Sequence, residues 1–195
     1  MDGTLYDEFD FICQVYKPIA KIFSNSNDDV NKTVKSMLLN WMEKGSSYPF
    51  IFSETLEKSG IEIGFHEKKI EEALSIFRNF EPDLILSERM KLVLGELKKK
   101  YELFLVSDGS SKLQWNKIKA LQLENYFSKE NIFISGDYGK GAGKQELVSL
   151  NHLEVFKKNI KRSEVVFIGD RMIDENYARN AGFLFVNINS LFNKK

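Results

Sequence analysis

The sequence predicts an α/β protein, a Rossmann-like doubly wound parallel sheet interrupted near its start by a helical insertion. Two observations carry that class. From residue 103 onward, short apolar runs alternate with stretches whose apolar residues recur every three or four positions. Strands separated by helices in this way run parallel through right-handed crossovers, with helices covering the sheet. Residues 10–83, in contrast, show helical spacing and no clear strand.

Phe9, Ile12, Val15, Tyr16, Ile19, Ile22 and Phe23 mark one face of a first helix, and Val30, Val34, Met37, Leu38 and Trp41 repeat the pattern. Gly45-Ser46-Ser47 and Pro49 break it. A shorter segment then runs through Leu56, and Ile70, Ala73, Leu74 and Phe77 form another helical stripe. Tyr16, Trp41, Tyr48 and Phe52 are either substrate-facing or internal packing of this unit. After Pro82, Met90, Val93, Leu94 and Leu97 line one helix face, and Lys98 to Lys100 favour its C-terminal end. The run 103–106 is a strand, closed by Ser107-Asp108-Gly109-Ser110, a turn that opens a helix carrying Trp115, Ile118 and Leu121. Strands follow at 132–134, 165–168 and 183–186, with a helical stripe of Leu147, Leu150, Leu153 and Phe156 among them. The division is therefore a core of residues 1–9 and 84–195 and a helical insertion of residues 10–83.

Composition narrows the function classes. The 195 residues suffice for one core with a modest insertion, and 43% hydrophobic against 29% charged residues excludes a disordered chain. Lys plus Arg and Asp plus Glu both number 28, so no positive field exists to draw nucleic acid. Cys13 has no second cysteine to bridge, and His66 and His152 lack the companions of a zinc set. No apolar run approaches a membrane span, and the acidic start is unlike a signal peptide, so the expected setting is the cytoplasm with no membrane partner. No heptad seam marks an oligomer interface.

In a doubly wound sheet, ligands bind beyond the carboxyl ends of the strands. Two such ends carry polar residues. Ser107-Asp108-Gly109 sets a hydroxyl and backbone N–H groups at the start of a helix, where anions are favoured. Gly169-Asp170, with Asp174 one helical turn later, suits a hard cation, because Mg²⁺ needs only one or two protein carboxylates beside water and phosphate oxygens. Gly139-Lys140-Gly141-Ala142-Gly143-Lys144 is not a nucleotide P-loop, since Tyr138 stands where a glycine is required and Gln145 where Ser or Thr is.

Asp2-Gly3-Thr4-Leu5-Tyr6-Asp7, Val106-Ser107-Asp108-Gly109, Lys144 and the segment Gly169-Asp170-Arg171-Met172-Ile173-Asp174 occur in the order of four motifs of one family. The chain resembles the haloacid dehalogenase-like (HAD) phosphatase superfamily over nearly its whole length. That resemblance implies a Mg²⁺-dependent phosphatase acting on a small phosphorylated metabolite through an aspartyl-phosphate. It implies that Ser107 and the amides of Asp108 and Gly109 bind phosphate, and that Lys144, or Lys140 in its place, neutralises the phosphoryl group. Asp2, Asp170 and Asp174 would form the metal site, with Asp2 as general acid and base. The insertion 10–83 would be the family's cap.

One departure matters. The family's first motif is Asp-x-Asp-Gly-Thr, and alignment on Gly3-Thr4 makes Asp2 the second Asp and Met1 the x. The nucleophile then falls directly before Met1. The expectation is an upstream strand of ~5 to 10 residues, rich in Ile, Val or Phe and ending in Asp. Asp2 as nucleophile would put Gly3-Thr4 out of register. The alternative is a non-catalytic relative that keeps the fold and binds phosphate or a protein partner.

Overall fold

The computed structural model describes residues 1–139 and 141–192. Two compact units emerge, one formed by Met1–Glu8 with Asp83–Lys195 and the other by Phe9–Pro82.

The inserted unit is helical: α1 (Glu8–Ile22), α2 (Asn27–Lys44), α3 (Ile51–Glu57) and α4 (His66–Asn79). Helix α1 buries Phe11, Ile12, Val15, Tyr16, Ile19 and Ala20, the face its spacing predicts. Its interior is aromatic. Phe52 packs edge-on against Tyr16, Phe23 and Phe77, and Phe11 meets Phe77 and Phe80, with ring centroids 5.4–6.2 Å apart. Edge-to-face pairs of this kind add about 1 kcal/mol each beyond the area they bury. Tyr16 and Phe52 are thus packing residues of this unit.

After Met1–Glu8 the core unit resumes at Asp83 and forms α5 (Glu88–Lys100), whose first turn is capped by Ser87 Oγ accepting from the Met90 N–H at 3.2 Å. There follow β1 (Leu105–Ser107), α6 (Ser111–Ala120), β2 (Ile132–Ile134), α7 (Ser149–His152), β3 (Val166–Gly169), α8 (Met172–Ala181), β4 (Leu184–Asn187) and α9 (Ile188–Phe192). Strand β1 pairs in parallel with β2, Leu105 opposite Ile132, and β3 pairs in parallel with β4, Val166 opposite Leu184. The α/β class holds, yet the described strands form two separate two-stranded ladders instead of one continuous sheet. Val106, Phe133, Leu153, Phe167, Tyr177 and Phe183 fill the core beside them.

Two local expectations are corrected. The stripe from Leu147 to Phe156 is not one helix: Leu147 takes φ +54°, Leu153 is extended, and only α7 and flanking 3-10 turns form. Its apolar residues still pack into or against the core, so burial satisfied the spacing without helical continuity. On α6 the buried face is Leu113, Gln114, Lys117 and Ile118. Trp115 instead reaches sideways, its Nε1–H donating to Asp137 at 3.0 Å. Among the described residues no helix is long and apolar enough to cross a membrane.

Candidate active site

The site assembles at the carboxyl ends of β1 and β3. Ser107, the last residue of β1, is buried, and its hydroxyl donates to Gln114 Oε1 at 3.0 Å. Gly109 N–H donates to Ser135 Oγ at 3.1 Å, and the Asp108 carboxylate accepts from the Lys144 backbone N–H at 3.1 Å. The turn is therefore held by the side chains of Gln114 and Ser135 and by the backbone N–H of Lys144. Ser110 Oγ, at the N-cap of α6, is buried with no hydrogen-bond partner among the described residues.

At the end of β3, the Asp170 carboxylate accepts from Thr4 Oγ1 at 2.8 Å. It lies so close to Gly3 that any Cβ there would overlap it, and Gly3 also sits at φ +67°, so the residue is required twice over. Asp174, in the first turn of α8, accepts from the N–H groups of Asp170 and Arg171 at 3.2 Å each. A Cβ on Gly169 would likewise collide with Asp174, so the strand end and the helix start are pressed together.

Lys144 ties the two ends. Its backbone N–H serves Asp108 beyond β1, while its Nζ stands 2.5 Å from Asp174 Oδ1 and 6.0 Å from the Phe167 ring centroid. Both members of that ion pair are buried. Burial pushes the Asp174 carboxyl upward, but Lys144 and the Arg171 N–H outweigh it and leave it below the usual carboxylate value. Lys140, the alternative lysine, lies outside the described residues.

Asp2 belongs to the same unit. Its Oδ1 accepts from Lys117 Nζ at 2.6 Å and from the Tyr6 hydroxyl. Here too burial acts to raise the carboxyl, and Lys117, by charge and by hydrogen bond, overcomes it and leaves Asp2 below the usual carboxylate value.

No three His, Cys, Asp or Glu side chains lie together as a metal-holding group among the described residues. Asp2 and Asp174, expected alongside Asp170 as metal ligands, are each engaged by a buried lysine. Asp170 carries no ion pair among the described residues, and one or two carboxylates meet what Mg²⁺ asks of a protein. The donor set thus fits such an ion at Asp170, while Asp174 is taken up by Lys144 and by the N–H groups of Asp170 and Arg171.

Lys117 escaped the sequence reading. A lysine spaced four from both Leu113 and Leu121 is on the buried face of α6, and that spacing was the available signal.

A family model for haloacid dehalogenase-like hydrolases matches residues 1–188. The chain belongs to this family. Among curated proteins, this HAD-like chain is 28% identical over 148 residues to glyceraldehyde 3-phosphate phosphatase of Pyrococcus furiosus, covering 72% of the chain and 57% of that relative. It is 26% identical over 150 residues to the enzyme of the same name from Pyrococcus abyssi, with the same coverage. The chain therefore spans a little over half the length of these relatives. Among solved structures, the HAD hydrolase YfnB of Bacillus subtilis, with magnesium bound, shares 19% identity at a TM-score of 0.64, covering 100% of this chain and 86% of that one. A family IA, variant 3 HAD hydrolase of Entamoeba histolytica shares 18% at 0.61, covering 96% and 80%. At these identities the structures establish the HAD fold of the core.

Proposed function

We propose that this HAD-like chain is a Mg²⁺-dependent phosphatase that cleaves a small phosphomonoester through an aspartyl-phosphate, its nucleophilic Asp directly preceding Met1. The observation that carries the reading is Lys144, buried between Asp108 and Asp174 and so joining the ends of β1 and β3. The relatives named glyceraldehyde 3-phosphate phosphatases support a substrate of that size.

The nucleophilic carboxylate attacks phosphorus, the ester P–O bond breaks, and the leaving alkoxide takes a proton from Asp2. Water then gives a proton to Asp2 and attacks phosphorus, which breaks the bond to the aspartyl oxygen and releases phosphate. Lys117 holds Asp2 ionised before substrate arrives; the phosphate dianion beside it raises its proton affinity, Asp2 takes up a proton from solvent as substrate binds, and that is the proton it hands to the leaving alkoxide. Lys144 balances charge on the phosphoryl oxygens. Ser107 and Gly109 reach phosphate by exchanging their bonds to Gln114 and Ser135. Mg²⁺ at Asp170 would add charge neutralisation. Selectivity is assigned to the inserted helical unit, residues 10–83, acting as a cap.

The test is hydrolysis of an aryl phosphate by a chain extended upstream with a strand ending in Asp before Met1. Turnover should depend on Mg²⁺, vanish in the Asp170→Asn variant, and fall roughly 100- to 1,000-fold in Lys144→Ala. The second reading, a non-catalytic relative, is favoured by the Asp2–Lys117 pair, which occupies the acid/base group. Absence of turnover in the extended chain, with its fold intact, would establish that reading instead.

A further inference from the structure

Gln114 is a polar side chain on the buried face of α6, which also carries Leu113, Lys117 and Ile118, and it is only 4% exposed. An amide so placed has to find its partners inside the protein. Its Oε1 has one, accepting from the Ser107 hydroxyl at 3.0 Å. Its Nε2 has no acceptor among the described residues. That nitrogen stands over Gly109, so near that a Cβ there would lie 2.7 Å from it, and Gly109 also sits at φ +137°. The amide therefore adjoins both Ser107 and Gly109, the residues that the turn after β1 offers to an anion.

The hydrogens at this contact do not suit a bound anion. A serine hydroxyl has one hydrogen, and Ser107 has given it to Gln114, so it shows a ligand only lone pairs. The oxygens of a phosphate dianion are acceptors, and Ser107 meets them only by turning that hydrogen outward. An unmoved amide would then face the Ser107 oxygen with a second oxygen at 3.0 Å, both buried and neither supplied with a donor by the other. A primary amide can resolve this where few side chains could. Its oxygen and its NH2 are nearly the same shape, and its last torsion has broad wells a half-turn apart. The half-turn puts Nε2 where Oε1 was. Nε2–H then donates to Ser107 Oγ, and Ser107 Oγ–H donates to phosphate, a chain in which each bond polarises the next.

We propose that Gln114 is the positioning residue of Ser107, an amide switch that holds the hydroxyl hydrogen on itself in the free chain and, reversed, aims it at a bound phosphate. The inference rests on the proposed function only in taking phosphate as the anion at Ser107.

The test is a double-substitution cycle on the full chain in Mg²⁺, with inorganic phosphate as the probe and its dissociation constant read by NMR titration. Gln114→Met keeps the length of the side chain and removes the amide. It should weaken phosphate binding about threefold to tenfold when Ser107 is present and by less than about 1.5-fold when Ser107→Ala is already in place, because its effect passes through that hydroxyl. A packing role alone would weaken both alike. A second readout needs no variant and stands even where Gln114→Met folds poorly. Hydrogen exchange of the Gln114 Nε2 protons, assigned through bonds, should slow at least about threefold in saturating phosphate, since one of them gains an acceptor it lacked. Equal weakening with and without Ser107→Ala, or Nε2 protons that exchange as fast in phosphate as without it, would overturn the switch and leave the phosphate site standing. No phosphate binding by the unaltered chain would overturn the phosphate reading of Ser107, and the switch with it.

Discussion

In the core unit the side chains of Lys117 and Asp2 are 3% and 13% exposed and those of Lys144 and Asp174 both 4%, whereas Lys44 and Glu54 of the inserted unit keep 30% and 24%. Burying an ion pair costs more desolvation than its attraction often returns, and apolar residues of the same shape would frequently be more stable. The inserted unit follows that economy of structure: an aromatic interior inside, its Lys44–Tyr48–Glu54 cluster at the surface. The core unit departs from it twice, once beyond the end of β3 with Lys144 and Asp174 and once between α6 and Asp2. Buried charge of this kind is where functional groups concentrate, and it distinguishes the core unit from the inserted unit.

The sharpest way to break this contrast is Asp174→Asn, which keeps shape and removes the charge facing Lys144. An uncompensated buried ammonium should cost about 3–5 kcal/mol in urea unfolding. A loss below about 1 kcal/mol, the range of exposed pairs, would erase the distinction. The same variant should also flatten the acid limb. With its folded pKa below the usual 3.8, Asp174 contributes stability that is present above 3.8 and lost as pH falls through the folded value.

Tyr177 offers a second probe of how dry the core unit is. Its hydroxyl is hydrogen-bonded with Ser149 Oγ at 2.7 Å, and burial raises it from 10.0 to about 12. A raised pKa means that stability is fully present below pH 10 and lost as pH climbs toward 12. That shift corresponds to roughly 3 kcal/mol. Chemical unfolding between pH 9 and 12 should show this loss in the wild type and not in Tyr177→Phe, which pays instead about 1 kcal/mol at all pH values for the missing hydrogen bond. A wild-type profile as flat as that of the variant would mean that water reaches the ring.

The smallest effect belongs to the inserted unit. Glu54→Gln removes the negative charge that faces Lys44 and one of the two oxygens that accept from Lys44 and Tyr48 at the surface, and the thermal midpoint should not move beyond error at physiological salt. A clear drop would show this exposed cluster to be a structural clasp and would narrow the difference between the units.

Local rules account for much of what was readable in advance. The period of the apolar residues reports which face of a segment is buried, so α1 and the burial of Met90 and Leu94 on α5 follow from spacing, although Val93 of the expected α5 face is exposed, and the runs at 132–134 and 165–168 foretell the strands at 132–134 and 166–169. Polar residues at the ends of apolar runs gave Ser107, Asp108, Asp170 and Asp174 their places, because in an open α/β sheet those ends are where loops meet ligands. The charge partners were not readable in the same way. Asp2 meets Lys117 across 115 residues and Lys144 meets Asp174 across 30, and periodicity marks a buried face without saying what other segment arrives there. Nor could spacing show that Leu147 turns left-handed and ends a helix its neighbours would have continued, since its side chains pack against the core either way. The parting of β1 from β3 is likewise tertiary. Strand formation is written in a few adjacent residues, but which edges find partners depends on every segment of the sheet at once.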